Sequence, residues 1–190
     1  MGAVVFAFLD LLSCARRARN THRLVNRPLC YIASPLGFTD AGRYYYERVY
    51  LPALAQVVEP VDPWALTTPA EVADARAAGR ERELALEIGR RNAAAIRRSS
   101  LLAALLDGQE PDAGTVAEVG FATGLGLRCF GLRTDLRQSG ETGVSINLQV
   151  ESFIVQSGGF VVVTLAELVD ALSAVRGSDE ISKLAAGRRL

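Results

Sequence analysis

Leu101-Leu102-Ala103-Ala104-Leu105-Leu106-Asp107-Gly108-Gln109-Glu110-Pro111-Asp112-Ala113-Gly114-Thr115-Val116-Ala117-Glu118 joins a continuous apolar run to a carboxylate, a Gly- and Pro-bearing loop and the start of a helix. The run from Leu101 to Leu106 fits a strand buried on both faces. Thr115 opens the helix and puts Glu118 in its first turn. Open α/β sheets bind ligands in the crevice beyond the carboxyl ends of their strands. Asp107, Asp112 and Glu118 therefore gather around one small volume at such an edge.

Working outward, strand and helix patterns alternate. Leu29 to Ser34 reads as the first strand. Thr39 caps a helix that runs to about Gln56, with Tyr44, Tyr45, Val49 and Leu54 partly inward. Val57 to Pro60 is a short second strand. Asp62-Pro63-Trp64 begins a loop, and Thr68-Pro69 is a helix start with Pro in first position. Arg80 to Arg98 is a long amphipathic helix whose arginines form a solvated face. The strand at Leu101 comes third, Leu127 to Leu132 fourth and Phe160 to Val163 fifth. Helices over 115–124, 146–156 and 165–176 complete the alternation. Such a pattern predicts a doubly wound α/β fold, a five-stranded parallel sheet with helices on both faces. The domain is expected over 28–176. Residues 1–27 read as a poorly ordered or loosely docked extension, and 177–190 as a polar tail.

Composition narrows the function. The chain has 190 residues, 49% of them hydrophobic, with 21 basic and 21 acidic side chains. A balanced charge gives no polyanion-binding surface, so nucleic acid is not an expected partner. No apolar run is long enough for a membrane span. The basic run Arg16-Arg17-Ala18-Arg19 follows the apolar stretch Val4 to Leu12, the reverse of a signal peptide. Cys14, Cys30 and Cys129 are an odd set, and Cys30 and Cys129 lie in strand-like runs as buried thiols. These features lead to an expected cytoplasmic location. With His22 as the one histidine, neither a His-based zinc site nor a Ser-His or Cys-His pair is expected. Carboxylates and a Tyr must then carry any catalysis, with no metal or organic cofactor.

Taken singly, each candidate has a structural reading. Thr115-x-x-Glu118 matches a capping box, in which Thr115 and Glu118 bond each other's amides. Asp112 suits the Pro-Asp-x-Gly turn that includes Gly114, and Asp107 suits a strand-end cap. Tyr31 fits a half-buried strand aromatic, and Asn92 a solvated helix residue. Their convergence at one crevice favours chemistry. A Glu at a helix N-terminus stays ionised, and such a carboxylate can attack a sugar carbon through an oxocarbenium-like transition state.

The ordered set resembles the nucleoside 2-deoxyribosyltransferase family. It comprises Tyr31-Ile32-Ala33-Ser34-Pro35-Leu36-Gly37-Phe38, Arg91-Asn92-x-x-x-Ile96, Pro111-Asp112-x-Gly114-Thr115-x-x-Glu118-x-Gly120-x-Ala122, Gly131-x-Arg133-Thr134-Asp135-x-Arg137, Ile146-Asn147-Leu148 and Ser157-Gly158-Gly159. The resemblance spans about residues 28 to 172 and implies a flavodoxin-like sheet. It implies Glu118 as the nucleophile on C1′ of a 2′-deoxyribonucleoside, Asp112 near the sugar hydroxyls and Tyr31 as the residue orienting Glu118. It also implies that Asn92 contacts the base, that Phe38 and Trp64 wall the base pocket, and that Asn147 serves a neighbouring subunit's site in a homo-oligomer. The expected substrates are 2′-deoxynucleosides and free bases. The expected reaction is base exchange through a deoxyribosyl-Glu118 intermediate. Hydrolysis of a nucleoside or 5′-monophosphate, or nucleotide binding without turnover, are the alternatives. Two departures stand out. Asn92 replaces an Asp that protonates the base in some members, and Ser99-Ser100 stands where many have an Asp before the third strand.

Overall fold

The computed structural model describes residues 27–175. The expected extension up to Asn26, with Cys14 and His22, and the expected tail lie outside the described residues.

The strands are β1 (Leu29–Ala33), β2 (Glu59–Val61), β3 (Leu101–Leu105), β4 (Arg128–Leu132) and β5 (Val161–Val162). All pair in parallel in the order β2-β1-β3-β4-β5. This is the flavodoxin-like doubly wound order, whose direction reverses between β1 and β3. Tyr31 sits at that reversal, in register with Val61 on one side and Leu102 on the other.

Helix α1 is a single rod of three stretches, Asp40–Tyr45, a π-helical turn over Tyr46–Tyr50, and Leu51–Leu54. The wide turn ends just before Pro52, which has no N–H to donate and would crowd a tight preceding turn. It also shifts the inward face. Tyr46, Tyr50 and Leu54 are buried, whereas the expected inward residues Tyr44 and Val49 are 70% and 42% exposed. The remaining helices are α2 (Pro69–Ala77), α3 (Glu81–Arg98), α4 (Ala113–Gly124), α5 (Leu148–Gln156) and α6 (Leu165–Val175). Short 3-10 turns cover Leu36–Phe38 and Pro63–Leu66.

Side chains alternate across the strands and build two cores. Cys30, Ile32, Leu101, Ala103, Phe130 and Leu132 pack against α1 and α6. Tyr31, Ala33, Leu102, Ala104, Leu106 and Cys129 pack against α3, α4 and α5. Cys30 and Cys129 are free, buried thiols. Gly159 marks the closest backbone approach, since a Cβ there would lie 1.7 Å from the Cys129 carbonyl oxygen. The arginines of α3 are largely solvated, with Arg90 bridging Glu87. Arg91 instead holds Leu66 O, Thr67 Oγ1 and Glu71 Oε1, tying the loop after β2 to α3. Among the described residues no helix is long and apolar enough to cross a membrane.

Two local expectations shift. The second strand starts at Glu59, because Val57 and Val58 follow the last turn of α1 into the core before pairing begins. Helix α4 starts at Ala113, because Asp112 caps it and accepts from the Thr115 amide over 2.8 Å. Thr115 is thus the third helical residue, Glu118 lies a turn further on, and the expected Thr115–Glu118 capping box does not form. Reciprocal capping bonds form instead at Thr68 and Glu71, where α2 begins, and at Thr164 and Glu167, ahead of α6.

Candidate active site

At the carboxyl ends of β1 and β3, the phenol of Tyr31 reaches across to α4. Its hydroxyl donates to Glu118 Oε1 over 2.5 Å, and Asn92 Nδ2 of α3 donates to the same oxygen over 3.4 Å. Three elements therefore converge on one carboxylate oxygen. Among the described residues no donor faces Oε2. The Tyr31 side chain is buried on β1, a strand paired on both sides, so its position is fixed by the sheet.

The electrostatics differ from the sequence expectation. Glu118 is not in the first turn, and burial pushes its carboxyl above the usual range. The negative charge of Asp112 adds to this, while the bonds from Tyr31 and Asn92 oppose it. Tyr31 stays a donor, because burial and the Glu118 charge raise its hydroxyl far above its ordinary value. The result is a desolvated carboxylate held by one short, charge-assisted bond.

Asp112 uses Oδ2 to hold the Thr115 amide and hydroxyl, at 2.8 and 3.1 Å. Among the described residues its Oδ1 has no partner and is available to a ligand. Gly114 keeps that neighbourhood open, since a Cβ there would lie 3.1 Å from Oδ2. Asn92 Oδ1 is buried without a donor.

Asp107 is used differently. It accepts from Thr134 N at 2.5 Å, Thr134 Oγ1 at 2.6 Å and Asp135 N at 2.9 Å, stapling the ends of β3 and β4 together. Arg133, 3% exposed, reinforces that staple by donating to the carbonyls of Leu106, Gly108 and Arg137. Asn147 is an exposed N-cap of α5, accepting from Gln149 N at 3.0 Å. Ser99 is buried and bonds the Ala95 carbonyl at 2.9 Å, finishing α3 without a carboxylate.

Beside the crevice lies a cleft of about 460 Å³. Trp64 walls it, with Phe38 edge-on to Trp64 at 4.8 Å between ring centroids. Trp64 Nε1 donates to Ser34 O at the end of β1, over 3.3 Å. Glu118 is not part of the cleft lining, which includes Tyr46 and Asp62. Sequence reasoning missed these two. The signal was Asp62 ahead of Pro63-Trp64, a cap that fixes an aromatic wall.

The comparisons follow the same lines. Among curated proteins none matches the chain. Three solved structures share the fold. A conserved protein from Enterococcus faecalis is 22% identical with a TM-score of 0.57, covering 79% of this chain and 99% of that one. A 2-desoxiribosyltransferase from Leishmania mexicana is 24% identical with a TM-score of 0.55, covering 75% and 97%. A 2-deoxyribosyltransferase from Bacillus psychrosaccharolyticus is 17% identical with a TM-score of 0.56, covering 82% and 95%. The sequence pattern described as nucleoside 2-deoxyribosyltransferase matches residues 30–157, most of the chain and all of the crevice, so the chain belongs to the nucleoside 2-deoxyribosyltransferase family.

Proposed function

We propose that the chain exchanges the base of 2′-deoxyribonucleosides through a covalent deoxyribosyl-Glu118 intermediate. The observation that carries this reading is the 2.5 Å bond from Tyr31 to Glu118 Oε1, which orients a buried carboxylate and leaves Oε2 free. Oε2 forms a bond to C1′ as the C1′–N bond breaks, and the electron pair leaves with the base. The incoming base then attacks C1′ through a ring nitrogen, gives its N–H proton to solvent and releases the carboxylate. Two displacements give retention. Asp112 Oδ1 faces a sugar hydroxyl as acceptor. Asn92 has no proton to give at neutral pH, so the leaving base takes its proton from solvent. In the same reading Asn147, exposed at the start of α5, serves the site of a second copy in a homo-oligomer.

Hydrolysis of the same bond is the second reading. Phe38, edge-on to Trp64, is 73% exposed, so this aromatic wall is open to water, the competing acceptor. A chromatographic assay separates the two. The protein is mixed with 2′-deoxyinosine or thymidine and an excess of a different free base, with Glu118→Ala in parallel. A new deoxynucleoside formed only by the wild type supports exchange, and free base alone supports hydrolysis. Absence of reaction with purine, pyrimidine and monophosphate donors overturns both.

A further inference from the structure

The cleft beside Trp64 has a polarity that the chemistry at Glu118 does not use. Asp62 Oδ1 accepts from the Tyr46 hydroxyl at 2.8 Å and from the Trp64 amide at 2.9 Å. Among the described residues no donor faces Asp62 Oδ2. Tyr46 is 2% exposed and remains a donor, because burial and the Asp62 charge raise its hydroxyl. The π-helical turn of α1 begins at Tyr46, and such turns recur at functional sites. One carboxylate oxygen is therefore clamped from two sides and the other is left over. Arg43, also in the lining, donates to Gly37 O, and among the described residues it makes no ion pair with Asp62.

The cleft and the Glu118 crevice share the end of β1. Tyr31 is in register with Val61, the neighbour of Asp62, and Trp64 Nε1 holds the Ser34 carbonyl. Attack on one face of C1′ requires the base to leave from the other, away from Glu118, and the cleft walled by Trp64 offers it a space that Glu118 does not line. Asp62 and Glu47 make this lining unsuited to a phosphate. An aromatic wall with one directional acceptor suits a flat heterocycle that carries an N–H. We infer that Asp62 selects the base, its free Oδ2 favouring nucleobases that present an N–H donor on the edge remote from the glycosidic bond. This rests on the deoxyribosyl-transfer reading above.

The test is Asp62→Asn, made in a Glu118→Gln background to prevent turnover. Tyr46 O–H and Trp64 N–H still donate, so the new amide must turn its oxygen toward them. Its NH2 then points into the cleft, and an acceptor becomes a donor at nearly constant shape. Trp64 is the chain's only tryptophan, so its fluorescence reports occupancy. Titrations use 2′-deoxyadenosine and 2′-deoxyinosine, which carry the N–H, against purine 2′-deoxyriboside, which lacks it. With Asp62 intact, purine 2′-deoxyriboside binds on the order of ten-fold more weakly, because it leaves the carboxylate unpaired. In Asp62→Asn that preference disappears or reverses. An unchanged ratio, or no quenching by any of the three, overturns the inference. Wild-type base exchange, measured separately, tells the two proposals apart. Exchange with a ratio indifferent to Asp62 sinks the inference alone. A ratio that follows Asp62 without exchange sinks the transfer reading and upholds the role of Asp62.

Discussion

Replacing Tyr31 by Phe removes one oxygen and leaves a ring that is wholly buried in β1. The bond lost is the one at 2.5 Å to Glu118 Oε1. A hydrogen bond to a charged acceptor contributes about 1.5–3 kcal/mol. Without it Glu118 keeps only the long bond from Asn92 at 3.4 Å. At about 1.4 kcal/mol per factor of ten, kcat/KM should fall roughly ten- to a hundredfold. Position is not the whole effect. Burial raises the Glu118 carboxyl and the Tyr31 bond opposes it, so removing the hydroxyl raises the carboxyl further. The nucleophile must be ionised, so the ascending limb of kcat/KM against pH moves to higher pH in Tyr31→Phe. Part of the lost rate returns on the alkaline side. The assay is base exchange followed by chromatography across the acid limb for both proteins. A loss smaller than about twofold with an unmoved limb would refute the role given to Tyr31. Fold stability, read from the urea midpoint, should change by no more than about 1 kcal/mol, because the packing of the ring is kept.

Glu118→Gln should melt at a higher temperature than the wild type near neutral pH, with the gap closing in acid. The folded protein holds the Glu118 proton more tightly than the unfolded chain does. That stability is complete below the unfolded pKa and is lost as pH rises through the raised one; a gap that widens in acid contradicts the burial argument. Asp107→Asn should lower stability by about 1–3 kcal/mol, seen in the denaturant midpoint, because it weakens the staple to Thr134 and Asp135. Unchanged stability with lost activity would instead place Asp107 on the substrate. Gly114→Ala should keep or raise the melting temperature, since Ala favours a helix by about 1 kcal/mol. It should nonetheless lower kcat/KM, because the new Cβ crowds Asp112 Oδ2.

The sheet was legible because its strands carry their signal locally. Leu101 to Leu105 is apolar on both faces, and the helices between strands repeat on a different period. The meeting of Tyr31 and Asn92 at Glu118, with Asp112 at the cap of the same helix, was legible because their order follows the family pattern. What the sequence concealed is competition between equivalent local rules. Thr115-x-x-Glu118 and Asp112-x-x-Thr115 are both plausible caps, and the earlier residue won. The same pattern at Thr68-x-x-Glu71 did form its box. The π-helical turn was concealed too, because Pro52 shows only that something must yield, not how. The Tyr46–Asp62 bond spans two elements and has no local trace at all.

The two halves of the site are anchored in different ways. The phenol of Tyr31 belongs to an inner strand, β1, and the carboxylate it holds belongs to a helix packed on that strand. Asp62 and Trp64 belong to a short connection outside the sheet. On the proposed roles, substitutions in that connection change the preferred base while the Tyr31–Glu118 pair stays where it is. Diversification of substrate and preservation of chemistry are thereby separable, and new specificities become accessible to drift or directed evolution without passing through an inactive ancestor.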